Sequence, residues 1–161
     1  MITKEQLADG FGLNIRLIKR QTDGLSHADS LVQTPYNINC LNWVLGHIAV
    51  NRDGVMRLIG VEPVLSQEET LRYKTESYPI TEDGPHILTL EKLLEILTTG
   101  QTRIEAAFDT LNEADLLEEI QVGERMMPLG TRLYGFYFHD TYHTGQTDLL
   151  RQIAGTNDKV I

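Results

Sequence analysis

Cysteine is nearly missing from this chain: Cys40 stands alone, so no intramolecular disulfide can staple the fold. Basic residues are also scarce. Against 23 Asp and Glu there are 14 Lys and Arg, for a net charge of -9 and a pI near 4.9. A chain this acidic repels a phosphate backbone, which argues against nucleic acid as a partner. There is no basic amphipathic segment to meet an anionic membrane surface. No apolar run approaches the roughly 18 residues of a membrane span. The opening stretch, Met1 to Gln6, has no apolar core of a signal peptide. Together with the lone thiol, these absences set the expectation of a protein in the reducing cytoplasm.

Strand patterning is missing too. Only residues 31–33 and 119–122 come near a β-branched or alternating run, and both are short. Neither an internal repeat nor a low-complexity tract is present. What remains is ordinary globular composition, 41% apolar and 23% charged, in 161 residues. That is enough chain for one domain, residues 1–161, with a real core.

Helical periodicity marks four long segments. In residues 3–21, Leu7, Phe11, Asn14 and Ile18 form one stripe, and Thr3 with Gln6 resembles a capping box. In residues 37–58, Cys40, Val44, His47, Asn51, Val55 and Leu58 recur at steps of three and four, with Gly60 as a stop. Residues 87–111 carry the cleanest seam, Leu90, Leu94, Leu97, Gln101, Ile104 and Phe108. Residues 128–154 open on Pro128 and stop at Gly155. Here Leu133, Phe136, Asp140, His143, Thr147 and Leu150 make one stripe, and His139, His143 and Gln146 lie on its neighbour.

Between these segments, residues 25–35 read as a loop. Residues 62–85, with three prolines, read as a long crossover holding a short helix capped by Ser66 and Glu69. Residues 112–123 form a second connection. The expected architecture is therefore all-α, a four-helix bundle with long crossover connections.

Three histidines carry the chemistry. His139 and His143 are four apart, which on a helix puts both imidazoles on one face about one turn from each other. His47 projects from the inner stripe of an earlier helix. Three imidazoles with one further position for water or substrate is the pattern of a catalytic metal site. Such spacing arises by chance often enough that it needs its helical context. That context is a bundle core, where buried polar groups are costly unless satisfied and where bundles place metals. Zn, Ni, Fe and Cu all suit three neutral imidazoles, so the metal stays open.

A di-iron carboxylate site does not fit, because the chain has no Glu-x-x-His. Nor does a thermolysin-like site, since Asp140 rather than Glu follows the first His of the pair. Gln146 or Asp140 could orient a ligand imidazole, with Asp140 reading more simply as a surface or capping group. Cys40 reads as a small buried hydrophobe, His86 as a surface residue at a helix start and His27 as a loop residue. Tyr142 could donate a proton, although packing at the rim explains it as well.

The segment Asn42-Trp43-Val44-Leu45-Gly46-His47-Ile48-Ala49, followed by His139-Asp140-Thr141-Tyr142-His143-Thr144-Gly145-Gln146, resembles the DinB/YfiT superfamily of DNA-damage-inducible bundle proteins. The resemblance extends to helix order and chain length. It implies a four-helix bundle of unusual connectivity, often dimeric, with a divalent metal on His47, His139 and His143. It also implies relatives that are S-transferases or isomerases using a low-molecular-weight thiol, some metal hydrolases, and many members with no assigned activity. Two readings follow. One is an enzyme that activates a thiol or water for a small-molecule substrate. The other is a non-catalytic metal-binding stress or interaction protein.

Overall fold

The computed structural model describes residues 2–158 and 160. Four long helices form the bundle: α1 (Lys4–Thr22), α3 (Leu41–Leu58), α5 (Leu90–Thr110) and α6 (Leu129–Ile153). Two short helices, α2 (His27–Ser30) and α4 (Gln67–Tyr73), sit in the first two connections. The third connection holds a 3-10 turn, Asp115–Leu117, and a hairpin of β1 (Glu119–Val122) and β2 (Arg125–Pro128). Among the described residues no helix is long and apolar enough to cross a membrane.

The predicted caps form. Thr3 and Gln6 close a capping box at α1, and Ser66 and Glu69 close one at α4. Three local expectations need correction. Residues 25–35 contain α2, started by a third capping box from Ser26 and Asp29. The hairpin replaces the expected absence of strands. It turns at Gly123, whose φ of 60° suits glycine, and pairs Val122 with Arg125. The second long helix begins at Leu41 rather than near residue 37, with Cys40 as its N-cap, so residues 37–39 stay outside it.

Each long helix packs on two of the others: α1 on α5 and α6, and α3 on α5 and α6. Their directions follow from who meets whom. Asn14 meets Asp140 and Gln21 meets Thr147, so α1 and α6 run parallel. Asn42 reaches Leu88 and Arg52 reaches Gln101, so α3 and α5 also run parallel. A helix of 18 residues is about 27 Å long, and its parallel successor must start back at the same end. The crossover carrying α4 covers that return.

The core has two apolar halves. One gathers Ile15, Ile18, Val44, Leu45, Leu93 and Leu97, and the other Leu7, Phe11, Val55, Met56, Ile104 and Phe108. Between them lies a polar layer. Arg52 (1% exposed) donates through Nε and Nη2 to both carboxylate oxygens of Asp140 (0% exposed), at 3.1 and 2.8 Å. Nη1 donates to Gln101 Oε1 and Nη2 also to the Phe11 carbonyl, and Asn14 Nδ2 donates to Asp140 Oδ2. The opposite charge and the added hydrogen bonds are what make a buried charge tolerable there.

Candidate metal centre

His47 leaves α3 two turns inside the helix and is buried, while His139 and His143 leave facing turns of the antiparallel α6 and are half-buried. The sequence expectation that these three meet is met. His139 Nε2 lies 3.3 Å from His47 Nε2 and 3.1 Å from His143 Nε2. Two nitrogens bound tetrahedrally to one zinc at its usual bond length are about 3.3 Å apart, which matches this spacing.

The far nitrogens of two rings fix their tautomers. His47 Nδ1 lies 2.9 Å from the Tyr73 carbonyl, which can only accept, so Nδ1 carries the proton and Nε2 the lone pair. His143 Nδ1 donates in the same way to Gln146 Oε1 at 2.7 Å. His139 Nδ1 is buried and has no hydrogen-bond partner among the described residues. Its ring holds one proton when neutral, and two lone pairs already face its Nε2. Hydrogen bonding among the three rings alone leaves this cluster poorly satisfied, whereas one cation satisfies all three nitrogens. The group His47, His139 and His143 could therefore hold a metal ion.

Electrostatics keep the rings in the ligand form. Burial pushes the His47 and His143 imidazoles below the usual histidine range. His139 is pushed down to about 4 by burial and by the neighbouring His143 and His47 rings. A neutral imidazole is the metal ligand, so no proton has to be displaced at neutral pH.

Several neighbours aim the rings. Trp43 stacks on His47 with centroids 4.6 Å apart and planes 15° from parallel, and its Nε1 donates to Ser77 Oγ at 2.9 Å. Asn51 Nδ2 donates to the His47 backbone carbonyl at 3.1 Å and lies 3.4 Å from the ring's Nε2. Gln146 does orient an imidazole, as the sequence allowed. Asp140 departs from expectation. It is neither a surface nor a capping group, and its carboxylate is held by Arg52 and Asn14 rather than by a histidine. Cys40 is buried against the Ile80 carbonyl, 3.6 Å from Sγ, and burial raises its thiol pKa, so it behaves as the hydrophobe expected. His27 lies in α2 beside Asp83, and the exposed His86 pairs with Glu68; neither approaches the cluster.

Sequence reasoning missed Arg52, Asp53 and Tyr73. Arg52 falls between the apolar positions of its helix, and nothing local says that it turns inward. Asp53 accepts from the backbone of Val64 and Leu65 and so pins the start of the crossover to α3. Tyr73 packs its ring on Gly46, where any Cβ would collide with it, and gives its carbonyl to His47. The adjacency Gly46-His47 was the available signal, since a glycine inside a helix marks a close approach.

The three histidines sit on the wall of a cavity of about 500 Å³. Its inner surface is Trp43, Val44 and Leu150, and its mouth includes Asn37, Asn39, Thr75 and Tyr142.

The fold is shared with solved structures. A conserved protein from Enterococcus faecalis superposes with a TM-score of 0.75 at 18% identity, over 97% of this chain and 99% of that one. Mycothiol-dependent maleylpyruvate isomerase, in a mutant and an unaltered form, superposes with TM-scores of 0.64 and 0.60 at 14% identity, over 90% of this chain. This chain spans 62% of the isomerase's length. At such identities the likeness is one of fold. No curated protein matches the sequence significantly. The sequence profile of the DinB superfamily, however, matches residues 21–147, taking in all three histidines. With most of its length matched, the chain belongs to the DinB superfamily.

Proposed function

We propose that His47, His139 and His143 bind a divalent transition metal and that the protein is a metal-dependent enzyme acting on a low-molecular-weight thiol, as an S-transferase, or on water, as a hydrolase. The observation that carries this reading is the convergence of three Nε2 atoms on the wall of an open cavity. Three protein ligands with a side open to small molecules is the catalytic rather than the structural pattern. The solved isomerase of the same fold is described as mycothiol-dependent, which supports the thiol version.

The chemistry a bound divalent ion supplies is Lewis acidity, which makes a thiol or water nucleophilic at neutral pH. The chain's own residues do the rest. Tyr73 and Gln146 hold two imidazoles in the tautomer that presents Nε2. Trp43 fixes the His47 ring plane. Trp43, Val44 and Leu150 keep bulk water from the inner end of the cavity. Tyr142, at the rim and edge-on to His143, is placed to give a proton to a departing group. For partners, we propose a small-molecule substrate and a second copy of the chain, and place the protein in the cytoplasm.

Elemental analysis of untagged protein is expected to find nearly stoichiometric transition metal in wild type and none in His143→Ala. Holo and chelator-treated proteins are then compared in conjugation of an electrophile with thiols and in ester hydrolysis. Absence of metal from wild type, with no stability change on adding Zn, Ni or Fe, overturns the site. Metal present without any holo–apo difference in turnover overturns the enzyme and leaves a non-catalytic metal-binding protein.

A further inference from the structure

Among the described residues, α3 and α6 share polar side-chain hydrogen bonds in two places, the histidine cluster and the Arg52–Asp140 pair. The two are close in the chain: Arg52 comes five residues after His47, and Asp140 directly follows His139. Five helical residues span about 7.5 Å along the axis. Arg52 also reaches the other two long helices, donating to Gln101 of α5 at 2.6 Å and to the Phe11 carbonyl of α1 at 2.9 Å. That carbonyl belongs to the helix backbone and has no side-chain torsion with which to adapt. One guanidinium therefore ties all four long helices together beside the three imidazoles.

Stability is a weak reason for such a pair, because apolar residues of similar volume in its place are often neutral or stabilising. Precision is a better one. Apolar packing sets the coarse register of α3 on α6, but each of its contacts is shallow and tolerates a small slide. A bidentate guanidinium–carboxylate pair is directional and does not. A metal-binding constellation has to be held to about 0.5 Å. We propose that Arg52 and Asp140 are positioning residues of the histidine site: the pair removes the residual slide between α3 and α6 and holds the three Nε2 atoms at ligand spacing before an ion arrives. This assignment rests on the proposed metal reading of the three histidines and deepens it.

The test compares wild type with Arg52→Met/Asp140→Leu/Gln101→Leu and with Arg52→Lys. The triple variant removes the polar layer and leaves Asn14 its bond to Thr141 Oγ1. Arg52→Lys keeps both charges and loses the fork, so affinity lost there is lost to geometry. Zinc affinity is read by competition with a chromophoric chelator, apo stability by urea unfolding, and ring geometry by nitrogen NMR of the apo imidazoles. The triple variant is expected to unfold at a urea concentration no lower than wild type, yet to bind zinc about tenfold more weakly. Arg52→Lys is expected to weaken zinc binding severalfold. Each ring of apo wild type is expected to give one set of signals, and those of the triple variant several sets or broadened ones. Wild-type zinc affinity in either variant overturns the positioning role, whether or not the triple variant folds. So do multiple sets of ring signals in apo wild type, which would mean that no preformed site exists. If wild type itself binds no zinc, nickel or iron, the metal reading fails and this assignment falls with it.

Discussion

At the scale of single residues, the acceptors behind the rings matter as much as the rings. Gln146 holds the proton of His143 on Nδ1, and losing that hold frees the ring to turn or to change tautomer. Gln146→Leu is therefore expected to lower metal affinity by about 10–100-fold, as outer-shell substitutions do, while a half-exposed position keeps the apo melting temperature close to wild type. Competition against a chromophoric chelator measures the first and circular dichroism the second; unchanged affinity would refute the role. Asp140→Asn tests the neighbouring layer. It strands the buried Arg52 guanidinium, and a loss of about 3–5 kcal/mol in urea unfolding is expected. A third outcome concerns pH. His139 has a folded pKa of about 4, below the roughly 6.5 of an unfolded histidine, so the unfolded apo chain binds the proton more readily. Its contribution to apo stability is complete above about pH 6.5 and is lost as pH falls toward 4. Urea midpoints of apo wild type should drop more steeply over that window than those of His139→Gln; parallel curves would exclude the effect. The three histidines were legible in the sequence because their spacing and helical faces are local properties. The Arg52–Asp140 pair was not, because it joins residues 88 apart through a register that only packing sets.

At the scale of elements, the crossover between α3 and α5 does more than connect. It presses Tyr73 onto Gly46, returns the Tyr73 carbonyl to His47, and sends Ser77 to Trp43. Its start is pinned by Asp53. Gly46→Ala places a methyl where the Tyr73 ring lies and must displace it. The change is expected to destabilise by about 1–3 kcal/mol, the usual cost of overpacking, and to weaken metal binding as the His47 acceptor moves. A helix-favouring Gly→Ala that instead raised the melting temperature would show that the crossover is not seated on α3. The long helices were readable because an apolar stripe repeats over many turns, as Leu90, Leu97, Ile104 and Phe108 show. The helix α2 and the hairpin were not, since each is only four residues per element and depends on a turn or cap, Gly123 in one case and Ser26 in the other. The late start of α3 has a similar origin: two asparagines in residues 37–39 favour turns over helix, although the apolar spacing continues through them.

At the scale of the whole molecule, one face has an unusual surface. Tyr134, Phe138, Tyr142 and Leu149 stand exposed along α6, with the exposed Gly135 and Gly145 among them. No exposed residue of α6 is charged, in a protein whose net charge is -9. Two copies of so acidic a chain repel one another wherever their charged faces meet, and an uncharged face is where they can approach. The pattern is also self-complementary. Gly135 and Gly145 are equally far from position 140, as are Phe138 and Tyr142, so an antiparallel α6 pair about a two-fold axis sets glycine against glycine and ring against ring. Space above both glycines is open within this chain. Tyr142 and Leu149 also line the histidine-walled cavity, so the second copy would border its mouth. Wild type is expected to sediment as a dimer, and Phe138→Glu, which leaves the cavity lining untouched, as a folded monomer. Register is tested by mixing Gly135→Cys with Gly145→Cys, the native Cys40 being buried. The mixture should form disulfide-linked dimers under mild oxidation faster than either variant alone. A monomeric wild type, or cross-linking confined to like variants, would leave the aromatic face without this role.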